Sequence, residues 1–167
     1  MKPDSGMIII VMGVSGSGKT TIGTQLAEAL DWTFVDADGF HPAKNVEKMR
    51  QGIPLTEEDR RPWLSALRSQ IAEWLEQNRS IVLACSALKT WYRQALLIDP
   101  SRMKIVYLKG PYSLIEKRLT GRKSHFMRPE LLASQYAALE EPDGALVIDA
   151  ALRPADIVQE IKKGLSL

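Results

Sequence analysis

The sequence MIIIVMGVSGSGKTT, residues 7–21, sets a strand, a glycine loop and a helix start end to end. Ile8, Ile9, Ile10, Val11 and Met12 are apolar without alternation, the pattern of a strand covered on both faces. Residues 13–20 then match G-x-x-x-x-G-K-[ST] at every fixed position. Beyond them Ile22, Leu26, Ala29 and Leu30 recur at helical spacing. Glycines at 13, 16 and 18 let the main chain turn its N–H groups inward, a cradle for phosphate oxygens. The helix start adds its unpaired N–H groups and the positive end of its dipole. Expected nucleotide contacts are Gly13, Val14, Ser15, Gly16, Ser17, Gly18, Lys19, Thr20 and Thr21. Lys19 is placed to reach the β/γ-phosphates, and the Thr20 hydroxyl to ligate Mg²⁺.

Working outward, the rest of the chain has an ordinary globular composition: 167 residues, 45% hydrophobic and 25% charged. That favours a single domain over 7–167 behind a loose leader, 1–6. A net charge of +2 offers no tail or patch for nucleic acid. Cys85 is the only cysteine, which excludes an intrachain disulfide and suits a reducing, cytoplasmic setting. No stretch approaches the ~20 apolar residues of a membrane span.

Apolar strand patterns at 32–35, 80–85, 104–108 and 145–148 alternate with helical patterns at 43–51, 91–98, 112–119, 129–139 and 154–162. Thr56 and Asp59 have the spacing of a helix-starting cap, followed by Trp63, Leu64, Leu67, Ile71, Trp74 and Leu75 on one face. This alternation predicts an α/β fold, a five-stranded parallel sheet with helices on both faces. Ligands of such sheets bind beyond the carboxyl ends of the strands, so the chemistry belongs in the loops after each one.

Asp36 and Asp38 follow the second strand and flank one residue. Two carboxylates beside a phosphate loop suit a division of labour, one orienting a Mg²⁺ shell and the other accepting the proton of an attacking hydroxyl. A pair capping the next helix is the bland reading. His41, before a proline, reads equally as structural. Arg60 and Arg61 beside Trp63 read either as an anion clamp or as a solvated helix end. Lys89 and Arg93, four apart, are expected on one helical face, as substrate cations or plain surface charge. Arg118, Arg122, Lys123 and His125 form a basic cluster suited to a lid, about 120–128, that excludes water and neutralises phosphate. A GTPase reading of the D-x-x-G at 36–39 lacks any N-K-x-D partner.

These segments together resemble gluconate kinase, a family of small P-loop kinases. The resemblance is carried by GVSGSGKT at 13–20, DADGFHPAKNVEKMRQGIPL at 36–55, EDRRPWL at 58–64, CSALKTWYR at 85–93, RLTGRKSHFM at 118–127 and QYAALEEP at 135–142. It implies a nucleoside/shikimate-kinase type of fold with a small lid, ATP and Mg²⁺ as cofactors, D-gluconate as acceptor at its 6-hydroxyl, and a possible homodimer. It further implies Asp38 as base, Asp36 and Thr20 at the metal, and Lys19 and Arg122 as catalytic cations. Arg118 and Arg122 would meet ATP phosphates; His41, Arg60, Lys89, Arg93 and His125 would hold the sugar acid. Ala37 between the aspartates and Ser124 before His125 stand where the family often has glycine. A related kinase for shikimate or a nucleotide would share the loop and lid while changing 41–63 and 86–93.

Overall fold

In β1 (Ile8–Met12) every residue is buried because the strand faces two cores at once. Ile8, Ile10 and Met12 point into one, Ile9 and Val11 into the other. This is the physical reason the run does not alternate. The computed structural model describes residues 5–121 and 129–167. It continues through α1 (Lys19–Leu30), β2 (Thr33–Asp36), a 3₁₀ turn (Ala37–Phe40), α2 (Ala43–Arg50), α3 (Glu57–Glu76), β3 (Ile81–Ala84) and α4 (Thr90–Leu96). Then come β4 (Met103–Lys109), α5 (Tyr112–Thr120), α6 (Pro129–Ala138), β5 (Leu146–Asp149) and α7 (Pro154–Gly164). The strands expected from the sequence are all present within a residue or two of their expected ends, and the 3₁₀ turn is the addition.

The five strands form one parallel sheet in the order β2-β3-β1-β4-β5. β1 pairs with β3 at Ile8↔Ile81 and with β4 at Ile8↔Met103, so it lies at the centre. One face is covered by α3 and α4 through Trp63, Leu67, Ile71, Trp74, Tyr92 and Leu96. The opposite face takes Ile22 and Leu26 of α1 with Ile157, Val158 and Ile161 of α7. Each fully buried Leu or Ile contributes about 1.5–3 kcal/mol. The chain leaves β1 toward β2 and later crosses back to β4, so the loop after β1 sits where the strand order reverses. A third cluster, Val14, Leu88, Ile115, Leu119 and Leu132, seats α5 and α6 over that loop.

Within the stretch expected as a loose leader, 1–6, Gly6 is buried and accepts a 3.0 Å hydrogen bond from Arg102 Nε. A side chain at Gly6 would meet the Arg79 carbonyl oxygen at 2.4 Å. Among the described residues no helix is long and apolar enough to cross a membrane.

Candidate active site

The two long helix starts beside the cleft are built differently. α3 is sealed by a capping box: Thr56 Oγ1 accepts from Asp59 N at 3.1 Å, and Asp59 Oδ2 accepts from Thr56 N at 2.9 Å. α1 starts at Gly18 with no side-chain cap and no acidic residue in its first turn. Its first N–H groups therefore stay available for an anion. Gly18 has φ +103 and Gly16 φ +81, conformations that side chains resist. At Gly16 a Cβ would also press on Leu119 at 3.0 Å. The loop is thus open to phosphate and closed to bulk.

Lys19 folds back over the loop, its Nζ donating to the carbonyls of Gly13 at 2.9 Å and Val14 at 3.0 Å. Desolvation lowers its pKa, and Asp38 opposes that shift. Behind it burial pushes the Cys85 thiol up to about 12, which leaves no reactive thiolate.

Asp36 caps the 3₁₀ turn by accepting from Asp38 N at 2.9 Å. Its other oxygen accepts from Thr20 Oγ1 at 3.4 Å. A hydroxyl and a carboxylate beside the phosphate loop are the hard oxygen donors that Mg²⁺ takes together with phosphate and water. The residues therefore fit a nucleotide-bound metal. Among the described residues no cluster of three or more His, Cys, Asp or Glu forms a metal site without one. Asp38 opens onto the cleft, and among the described residues no hydrogen bond holds its carboxylate. Crowding by the surrounding protein, then the Asp36 charge, raises its pKa, with Lys19 pulling the other way. Trp63 Nε1 donates to Ala37 O at 2.8 Å and so pins the turn to α3.

A cleft open to solvent joins Ser15, Lys19 and Asp38 to His41, Arg60 and Ser86. Its apolar wall is Met49, Ile53, Pro54 and Leu55 between α2 and α3. The His41 ring stacks on Trp63 at 4.7 Å and 10°, and burial with nearby Arg60 lowers its pKa to about 4. Arg60 Nη1 donates to Tyr92 Oη at 3.0 Å, and Tyr92 Oη donates to Glu57 at 3.2 Å. The cation is thereby braced toward the cleft. Gln135 of α6 closes the far side: Ser15 N donates to its Oε1 at 2.7 Å, and its Nε2 donates to Ser15 Oγ at 3.1 Å. Gln135, Tyr92 and the apolar wall were not singled out from sequence, because nothing in periodicity marks residues that meet only across the sheet end.

Asp36 meets Thr20 of the 13–20 loop, and Asp38, His41 and Arg60 line one cleft with Ser15 and Lys19. Lys89 and Arg93 stay one turn apart, Arg93 N donating to Lys89 O at 3.3 Å, and neither lines the cleft. Lys89 caps α4 in an extended conformation, φ −99 and ψ 143, and does not line the cleft. Arg93 is 5% exposed, donating to Ala87 O at 2.7 Å, Glu140 O at 2.8 Å and Thr90 Oγ1 at 3.2 Å. Arg93, expected among the substrate cations, braces the loop between β3 and α4 through these acceptors and is not among the residues that line the cleft. Arg118, expected at the nucleotide, lies beside the phosphate loop. Its Nη2 donates to Ala150 O at 2.6 Å, and it lines a second groove with Gly16, Ser17, Gly18, Thr21, Leu152 and Pro154. The expected lid lies largely outside the described residues, as do Arg122, Lys123 and His125.

Comparison with known proteins agrees with this geometry. The family described as shikimate kinase matches residues 15–161. A probable gluconokinase of Xenopus tropicalis is 42% identical over 93% of this chain and 92% of its own. The thermoresistant gluconokinase of Escherichia coli (strain K12) is 39% identical over 94% of each. The crystal structure of a gluconokinase from Sinorhizobium meliloti 1021 is 42% identical, with a TM-score of 0.85 over 97% of this chain and 92% of that one. With a phosphate loop, an acidic turn and an acceptor cleft in one place, the chain belongs to the gluconokinase family of P-loop kinases, within the fold group described by shikimate kinase.

Proposed function

We propose that this chain transfers the γ-phosphoryl group of ATP to the 6-hydroxyl of D-gluconate, giving 6-phospho-D-gluconate and ADP. The observation that carries the reading is the shared cleft: Lys19 and Asp38 at one end, His41 and Arg60 toward the other. A polyol with a terminal carboxylate needs a cation at one end and hydroxyl partners along it, with a base where the chemistry occurs. The gluconokinase relatives support the same acceptor.

In this reading the phosphates lie on the main-chain N–H groups of residues 13–20, with Lys19 leaving its two carbonyls to meet them. Thr20 and Asp36 would hold Mg²⁺, which would supply charge neutralisation at the phosphates. The groove beside Arg118, Leu152 and Pro154 takes the adenine. Asp38, uncommitted and with raised proton affinity, accepts the proton of the 6-hydroxyl as its oxygen bonds to phosphorus and ADP departs. Arg60 pairs with the gluconate carboxylate. Arg122 and His125, which lie outside the described residues, are assigned to the ATP phosphates and the sugar acid on the family resemblance alone.

The test is ADP release across D-gluconate, related C6 sugar acids, shikimate and nucleoside monophosphates, with Mg²⁺ present and then chelated. Turnover with gluconate at the highest kcat/KM, abolished by chelation, is expected. A higher kcat/KM for shikimate or a nucleotide overturns the acceptor. Size-exclusion of the active enzyme tests the homodimer implied by family likeness.

A further inference from the structure

His41 faces the cleft, yet which of its ring nitrogens carries the proton depends on a neighbour that does not. Asn45 lies one turn further, on α2, and is fully buried. Its Nδ2 donates to Asp59 O at 2.8 Å. A main-chain carbonyl only accepts, so this contact fixes which end of the amide is nitrogen. The same Nδ2 lies 3.2 Å from His41 Nδ1. Its second hydrogen therefore points at Nδ1, which must be the bare, accepting nitrogen of the ring. Turning the amide over would set its oxygen against the Asp59 carbonyl, at the cost of a buried hydrogen bond.

We propose that Asn45 is a positioning residue that fixes the tautomer of His41, so that the ring presents Nε2–H to the acceptor cleft as a donor. Four more contacts hold the arrangement. The ring is stacked on Trp63, Trp63 is tied to Ala37, and Asp59 is anchored by Lys48 at 2.8 Å and by the Thr56 cap. The charged or titratable groups around the ring are Arg60 from α3, Asp38 from the 3₁₀ turn, and the Asp59–Lys48 pair behind Asn45. Arg60 is the charge that acts on the ring, and with burial it keeps the imidazole neutral through the physiological range. A neutral ring with Nδ1 occupied can offer only one hydrogen bond to a ligand, a donated one. The acceptor it suits is a hydroxyl or carboxylate oxygen of the sugar acid, and that part rests on the proposed function.

The chain has only two histidines, so long-range ¹H–¹⁵N spectra give one ring pattern each, assigned by His125→Gln. The wild-type protein at pH 7 is expected to show His41 as the Nε2–H tautomer, still neutral at pH 6. Asn45→Asp, which offers only acceptors to Nδ1, is expected to convert it to Nδ1–H and raise its pKa. Asn45→Leu should leave a mixture of tautomers. In both variants kcat/KM for gluconate should fall about tenfold, the equivalent of one misdirected hydrogen bond, with KM for ATP changed less than about twofold. An Nδ1–H tautomer in the wild-type protein overturns the proposal, and that measurement stands even if both variants fail to fold. An unchanged tautomer in folded variants overturns it as well. A shifted tautomer with unaltered gluconate kinetics upholds the positioning by Asn45 and refutes the His41 contact with gluconate, so the two readings fail separately.

Discussion

Trp63→Phe probes the link between the core and the acidic turn. The indole is 2% exposed, and its Nε1 donates to Ala37 O at 2.8 Å inside the protein. Phenylalanine removes the donor and leaves that carbonyl buried without its partner, at a cost of about 1–3 kcal/mol. The smaller ring leaves a void under His41 worth about 1 kcal/mol more. Together, about 2–4 kcal/mol in a chain of this size corresponds to a fall in Tm of roughly 4–16 °C. The functional effect follows from position. Ala37 lies between Asp36 and Asp38, so releasing its carbonyl loosens both carboxylates relative to Lys19. A displacement on the order of 1 Å costs as much as ~100-fold in rate, so kcat should fall between tenfold and that limit while KM for ATP holds. Calorimetry and steady-state ADP release on the same preparation measure both. A Tm within about 2 °C of wild type with unchanged kcat would refute the claim that this hydrogen bond anchors the catalytic turn.

Further outcomes are expected. Lys19→Met should cut turnover by roughly 10²–10³ through loss of charge at the phosphates, and it also leaves the Gly13 and Val14 carbonyls without their donor, so the ligand-free melting point should fall as well. Asp38→Asn should lower kcat by at least about 10² with little effect on KM for ATP. In the wild type, kcat should fall on acidification at a higher pH than an ordinary carboxylate near ~4 would produce, since the raised pKa protonates the base early. That acid limb should vanish in the variant; if it persists, another group is the base. Asp59, held at about 2 chiefly by Lys48 and Thr56, stays charged in the folded protein after the unfolded chain has taken up its proton. Its contribution to stability is therefore present above about pH 4 and lost as pH falls toward 2. Asp59→Asn should flatten the stability–pH curve in that window, read by denaturant titration at stepped pH.

Much of this molecule was legible locally. The apolar run at 8–12 specified a strand buried on both faces, because a strand that alternates cannot lie between two helical layers. The spacing of Gly13, Gly18, Lys19 and Thr20 specified an anion-binding turn, because backbone freedom and an uncapped helix start are local properties. The Thr56–Asp59 cap formed as its spacing required, since both partners lie within one turn.

Arg60 and Arg93 show where local reading stops. Both are arginines early in helices beside an aromatic residue, and sequence gave no ground to prefer either as a ligand. The fold sends Arg60 to Tyr92 and the cleft, while Arg93 is consumed by carbonyls at Ala87 and Glu140. Gln135 reaches Ser15 across 120 positions of sequence, a partnership no periodicity encodes.

The chain's own letters determined the strand–loop–helix unit, the parallel α/β class and the phosphate site, because each depends on neighbours within a few residues. Which arginine lines the cleft, which aspartate caps the turn and which buried amide meets His41 were decided only by tertiary structure. Those properties depend on desolvation and on hydrogen-bond partners that the sheet brings together from distant elements.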